Sequence, residues 1–255
     1  MALAGLDPMS CSRLTGEIYS SRGDYSAEGL FDWERSWLES DLCPPPARVL
    51  IGGAGTGREL VHLARAGYEL VAFDPAPAFV RKAAQRLQTP ACLTFLEGGY
   101  EALAQPDTRG QLRFAQSIRA HAPYDGVLLG WGSLTHVAGE EQRRRLLIAL
   151  RALCPRGPIL ASVWMRGDDT EIHRSRAFRL GWEIGRRLHP GAPARTRPHP
   201  GDHVISRAGF GHYFTRAEIH ALAEATGHRL TREPPGPYSG VFPHFTLMPA
   251  EARPE

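Results

Sequence analysis

Between positions 49 and 57 the chain reads Val-Leu-Ile-Gly-Gly-Ala-Gly-Thr-Gly. Glycines in such a run let the backbone turn sharply and lie close against a ligand. Where the loop opens a helix, its free N–H groups can receive a carboxylate or a phosphate. The spacing is Gly53-x-Gly55-x-Gly57, with Arg58 standing where a dinucleotide fingerprint needs its last glycine. The Gly-Lys-Ser/Thr of a phosphate-binding P-loop is also missing. Asp74 follows 21 residues after Gly53, at the expected end of a strand, where a carboxylate can accept both hydroxyls of a ribose. His136, in Gly-Ser-Leu-Thr-His-Val, can titrate near neutral pH and move a proton, or can serve as a loop histidine bonded to backbone. Glu59 could hold a cofactor, but three residues after Thr56 it reads first as half of a helix capping box. His173, His189, His199, His203 and His212 gather in the last third of the chain, yet their spacing fits no zinc pattern and no carboxylate cluster accompanies them. No metal is expected.

The elements that would position these residues alternate between strand and helix, which predicts a parallel sheet covered on both faces. Strands are expected over 47–53, 68–74, 92–97, 124–131 and 158–165. Helices are expected over 56–66, Pro77 to Leu87, a short stretch within 106–121, and 139–154. The last of these shows its buried stripe in Leu146, Leu147, Leu150 and Leu153. Segment 166–213 interrupts the alternation with a helix over 170–188 and a Pro/Gly/His loop. Beyond it, Thr215 and Glu218 form a capping box, Phe214 and Ile219 a hydrophobic staple, and Gly227 the C′ position. HRLTREP and FPHFTLM then pair as a terminal hairpin.

With that order in place, the chain resembles the class I S-adenosylmethionine-dependent methyltransferases over roughly 15–165 and 208–249. VLIGGAGTGRE is similar to their first motif, VAFD to the second, and YDGVLLGWGSLTHV with CPRGPILASV to their fourth and fifth strands. FTRAEIHALAEATGHRL resembles their penultimate helix and strand, and IYSSRGDYSAE the lid opening of small-molecule members, including sugar N-methyltransferases. The resemblance implies a Rossmann-like seven-stranded, mostly parallel α/β sheet with a reversed C-terminal hairpin and helices on both faces. It implies S-adenosyl-L-methionine as cofactor, held by Gly53, Ala54, Gly55, Gly57, Asp74, Pro75, Tyr100, Gly130 and Trp131. His136 is then the catalytic candidate, because its loop faces the transferred methyl group in that family. Tyr19, Tyr25, Arg174, His203 and Tyr213 join it as candidates for the acceptor side. Tyr19 and Tyr25 would equally suit surface anchors of an N-terminal helix, and Trp131 a core aromatic. Two positions depart from the family: Ile51 and Gly99 stand where acids are usual, the second reading the adenine amino group. Backbone, Tyr100 or Glu97 would have to supply those contacts.

A single domain is expected, divided into an N-terminal helical lid (12–42), a cofactor core (43–165), a substrate-lid insertion (166–213) and a C-terminal helix and hairpin (214–255). At 255 residues and 42% hydrophobic the chain can bury a core without staples. Thirty Lys and Arg against 27 Asp and Glu give a net charge of +3. The densest basic stretch, Arg174 to Arg197, is broken by Glu183, prolines and glycines, which argues against a nucleic-acid partner. Cys11, Cys43, Cys92 and Cys154 form no CxxC pair, as suits reduced thiols in the cytoplasm. Neither a signal peptide nor a membrane span is expected. The expected function is methylation of an oxygen or nitrogen of a small, polar or anionic metabolite by a monomer or homodimer. A protein or nucleic-acid methyltransferase, and a cofactor-binding module without catalysis, are the other readings.

Overall fold

The computed structural model describes residues 11, 15–19, 29–87, 93–167, 199–205 and 209–250. The first five strands of the main sheet are short, largely apolar and separated by helices long enough for parallel crossovers. They are β1 (Arg48–Gly52), β2 (Glu69–Asp74), β3 (Leu93–Glu97), β4 (Gly126–Leu129), β5 (Ile159–Ser162), β9 (His228–Arg232) and β10 (His244–Pro249). Their order across the sheet is β3-β2-β1-β4-β5-β10-β9. β1 to β5 run parallel, and β10 inserts antiparallel between β5 and β9. This is a Rossmann-like, mostly parallel sheet with the reversed C-terminal hairpin expected from the sequence.

Strand periodicity explains why both faces must be covered. Leu50, Val71, Phe73, Val127, Leu129, Ile159 and Ala161 join one buried cluster, with the helices Arg109–Ala120, Glu140–Leu153 and Arg216–Ala225. Their strand neighbours Val49, Ile51, Leu70, Ala72, Leu128 and Leu160 join a second, with Asp32–Asp41 and Arg58–Ala66. Successive side chains point to opposite faces, so a strand apolar at every position belongs in the middle of a three-layer stack. Each fully buried aliphatic side chain contributes about 1.5–3 kcal/mol. Helix Asp32–Asp41 is tied to the reversed edge by Trp37 Nε1, which donates to Thr246 Oγ1 at 2.9 Å, and by an Asp41–Arg232 ion pair at 2.6 Å.

Most sequence boundaries hold within two residues. Helix Arg58–Ala66 stops at Gly67, whose φ is +95°. Thr215 and Glu218 exchange side-chain and backbone hydrogen bonds as a capping box. Phe214 and Ile219 are both buried beside it, and Gly227 takes a left-handed conformation after the helix. Other expectations change. The Thr56–Glu59 capping box does not form: Gly57, at φ +83°, is the N-cap, and Glu59 turns its carboxylate to Arg58. Tyr100–Ala104 is an additional five-residue helix, too short to show a period. The strand expected over 158–165 breaks at Val163, and its last part, β6 (Trp164–Met165), belongs to another sheet. There it pairs with β8 (Gly209–Phe214), which also pairs with β7 (Asp202–Ile205). The end of the presumed insertion is therefore strand and not loop. The helix expected over 170–188 lies outside the described residues.

Candidate functional site

The sheet order reverses direction between β1 and β4, and a crevice opens there beyond the C-terminal strand ends. It holds a cavity of about 300 Å³. Its floor is glycine, which packing requires at Gly53 and Gly130 and a left-handed backbone favours at Gly55 (φ +54°). A Cβ on Gly53, already at φ +64°, would stand 2.6 Å from Ser133 Cβ, and one on Gly130 would stand 3.0 Å from the Gly53 carbonyl oxygen. The two loops thus touch backbone to side chain and backbone to backbone, and Gly130 N–H donates to Gly52 O at 3.0 Å.

Asp74 closes one side. Its Oδ2 accepts from Gly55 N–H and its Oδ1 from Ala76 N–H, both at 2.8 Å. Burial dominates these bonds and raises its carboxyl from 3.8 to about 6. Each oxygen keeps a second lone pair, and the residue lines the cavity. Tyr100 lies beneath the loop with its hydroxyl 2.6 Å from Ser133 Oγ, and burial pushes that phenol far up. It braces the glycine loop against β4. The position of Gly99 is served by another group. The Glu101 carboxylate lies 2.5 Å from where a Cβ on Gly99 would stand, and it lines the cavity. Glu97 is exposed and does not.

Arg58 stands at the seam. It donates to Glu34 through two nitrogens (2.5 and 2.6 Å), to Glu59 at 2.8 Å and to Gly29 O at 3.1 Å. Phe31 and Trp131 cover its guanidinium at 5.2 and 5.3 Å. Burial opposes the charge, but these carboxylates outweigh it and hold the guanidinium protonated. Burial pushes the Glu59 carboxyl up despite Arg58.

Across from the glycine floor the wall changes character. After β4 the 3-10 turn Ser133–His136 aims His136 at the cavity. Its Nδ1 lies 2.7 Å from Phe210 O on β8. A carbonyl can only accept, so Nδ1 carries the hydrogen and Nε2 keeps a lone pair. Burial lowers this imidazole below 6.5, with the Phe210 bond acting the other way, so at neutral pH the ring is the neutral tautomer. Tyr19 Oη lies 3.2 Å from Nε2 and donates to it. One ring nitrogen of His136 is thus bonded to backbone, as a loop histidine's would be, and the residue lines the cavity beside Tyr19.

The small sheet that supplies Phe210 O is anchored by a polar group. Asp202 Oδ1 lies 2.8 Å from His212 Nδ1, and Glu218 Oε2 lies 3.2 Å from Nε2. Arg166 donates to Glu218 Oε1 at 2.8 Å. Burial would raise Glu218, but its bonds from His212 and Thr215 N–H bring it down to about 2. His199, His212 and Glu218 bring ligand-type atoms within 4.8 Å of one another. The carboxylate oxygens there are already engaged by Arg166 and by the capping N–H, so the group serves as an anchor.

Of the sequence candidates, Gly53, Ala54, Gly55, Asp74, Pro75, Tyr100, Trp131, Tyr19 and His136 line one cavity. Gly57 and Gly130 shape its floor from behind. Trp131 is 43% exposed, so it is no core aromatic. Tyr213 meets Trp164 at a 41° tilt one layer out, with His203 beyond it, and neither lines the cavity. Tyr25 and Arg174 lie outside the described residues. Residues that spacing did not reveal are Thr15, Phe79, Glu101, Gln142, Trp164 and Phe242. Of these, Glu101 carried a readable signal, as an acid just past Gly98-Gly99.

Residues 49–157 match the family model described as a methyltransferase domain. No curated protein sequence matches the chain. The 1,6-didemethyltoxoflavin-N1-methyltransferase of Burkholderia thailandensis, solved with 1,6-didemethyltoxoflavin and S-adenosylhomocysteine, is 16% identical with a TM-score of 0.60, covering 96% of this chain and 92% of that one. The magnesium protoporphyrin IX methyltransferase of Synechocystis, solved with S-adenosylmethionine, is 16% identical with a TM-score of 0.57, covering 97% and 99%. The amino pentose methyltransferase CalS10 of Micromonospora echinaspora is 16% identical with a TM-score of 0.52, covering 94% and 90%. These likenesses carry the fold.

Proposed function

We propose that this chain, which carries a class I S-adenosylmethionine-dependent methyltransferase domain, methylates an oxygen or nitrogen of a small-molecule acceptor, with His136 as the general base. The carrying observation is the His136 Nε2 lone pair, held toward the cavity by the Nδ1 bond to Phe210 O and capped by Tyr19. S-adenosylmethionine supplies a methyl carbon made electrophilic by its bond to a sulfonium. The residues present suit that group. Gly53, Gly55 and Gly57, all at positive φ, put no side chain between a ligand and the loop backbone, and Asp74 and Glu101 give a cationic molecule acidic neighbours. Asp74 would accept the ribose hydroxyls and Glu101 the adenine amino group.

The work left to the chain is alignment, exclusion of water and removal of a proton. Nε2 takes the acceptor's proton once the acceptor displaces the Tyr19 hydroxyl from it. The names of the structural neighbours span an amino pentose and magnesium protoporphyrin IX, so they choose no acceptor for this chain. A crystal structure with S-adenosylhomocysteine tests the assignment. The ribose hydroxyls are expected within hydrogen-bond distance of Asp74 and the adenine amine near Glu101. An adenosine bound elsewhere, with Asp74 untouched, would contradict it.

A further inference from the structure

The half of the cavity around His136 is walled by rings. Trp131, Trp164 and Phe242 line it, and Trp164 meets His136 edge-on at 5.3 Å. Trp131 and Phe242 form a corner, with centroids 6.1 Å apart at 65°. An indole 43% exposed at a cavity mouth calls for a reason. Here a ladder of further rings fixes the corner without burying it. Trp33 stacks on Phe242 at 5.8 Å and 15°, and Phe31 meets Trp131 at 5.2 Å. Val137 and Ala138 complete this wall, with Gln142 as its neutral polar member.

Charge narrows the occupant further. Arg58 is the one permanent cation lining the cavity among the described residues. Its guanidinium is committed to Glu34, Glu59 and Gly29 O, with an aromatic ring over it from either of two residues. Among the described residues an anionic acceptor would meet no uncommitted positive charge there, and it would face Glu101 and Asp74 at the other end. A sugar would find ring faces where it needs paired donors and acceptors.

Resting on the methyl-transfer reading, we infer that the acceptor is a planar, uncharged aromatic or heteroaromatic molecule seated in the Trp131–Phe242 corner, its reactive O–H or N–H directed at His136. Ring faces and edges favour offset or edge contacts with a flat π-system. A saturated molecule of the same size buries similar area but gains none of these. The sequence expects instead a polar or anionic metabolite, and Arg174, Arg176 and Arg179 of the 166–213 segment, which would meet it, lie outside the described residues.

Calorimetric titration of the full chain tests this, using umbelliferone and lumazine as planar probes, with and without saturating S-adenosylhomocysteine. At least one is expected to bind, with glucuronate and cyclohexanol about tenfold weaker or worse. Phe242→Ala and Trp131→Ala should each weaken the planar probe by about tenfold. Under Phe242→Ala the affinity for S-adenosylhomocysteine should stay within about twofold, which shows that the variant is folded. The proposal is overturned if neither planar probe binds to protein that takes up S-adenosylhomocysteine, or if glucuronate binds as tightly as they do. Native protein that fails to bind S-adenosylhomocysteine would remove the methyl-transfer reading instead. A planar probe still weakened by Phe242→Ala would then leave the aromatic seat standing.

Discussion

The two halves of the cavity are built by different means. The half proposed for the cofactor is mostly backbone: glycines after β1 and β4, and N–H groups held by one buried carboxylate, most of it within the local order β1–helix–β2. The acceptor half is side chain: Tyr19, His136, Trp164 and Phe242 come from four separate stretches of the chain. A backbone site tolerates little variation, because a single Cβ at Gly53 collides with Ser133. A side-chain site can be rebuilt ring by ring without disturbing the sheet. In the proposed assignment, binding of the cofactor and selection of the acceptor are thereby separated in the same pocket.

Arg58 joins the halves, and its loss should have the largest effect. Arg58→Met leaves Glu34 and Glu59 buried without a counter-charge, which costs about 3–5 kcal/mol. Thermal melting should show a drop of many degrees, and the edge toward Trp131 should lose order. An unchanged melting temperature would mean that the seam is not structural. His136→Ala should lower turnover of a hydroxyl acceptor by about a hundredfold or more, while S-adenosylhomocysteine affinity stays the same. Its lowered pKa places the acidic limb of the kcat profile below 6.5. Loss of cofactor affinity in this variant would erase the division between halves, and an effect of only a few fold would point to an amine that attacks already neutral.

Asp74→Ala should do the reverse, weakening S-adenosylhomocysteine by about 1.5–3 kcal/mol without changing binding of a planar probe. The smallest effect is expected of Tyr19→Phe. It removes the donor to Nε2 yet keeps the ring against Phe79 at 6.4 Å, so turnover should fall only by a few fold with cofactor affinity intact.

This division also decides what could be read from the chain. Sheet order, the glycine floor and Asp74 were legible because local spacing encodes them: a left-handed turn needs glycine, and a strand buried on both faces needs an unbroken apolar run. Trp164 and Phe242 were not. Trp164 looked like the end of a fifth strand, and it leaves the main sheet only because β8 offers it a second partner. β8 itself reads Gly-Phe-Gly-His-Tyr-Phe over Gly209–Phe214, and its two glycines and the adjacent Tyr213-Phe214 blur the alternation that marks a strand. Its stability comes from the Asp202–His212–Glu218 anchor, three residues whose proximity appears only in the fold. Glu101 is hidden in the sequence because it stands two residues beyond Gly99, and only the helix that starts at Tyr100 folds its carboxylate back into the space beside that glycine.

The pH dependence of S-adenosylhomocysteine binding tests the central claim most directly. Burial raises Asp74 from 3.8 to about 6. The folded protein therefore binds a proton that the unfolded chain has already lost between about pH 4 and 6. Ionising Asp74 costs the free protein stability as pH rises through that window, whereas ribose hydroxyls donating to the carboxylate favour the ionised form. Calorimetry should therefore find low-micromolar affinity at pH 8, weakening by about tenfold at pH 5. Absence of binding at either pH, or an affinity indifferent to pH across 6, would contradict the account.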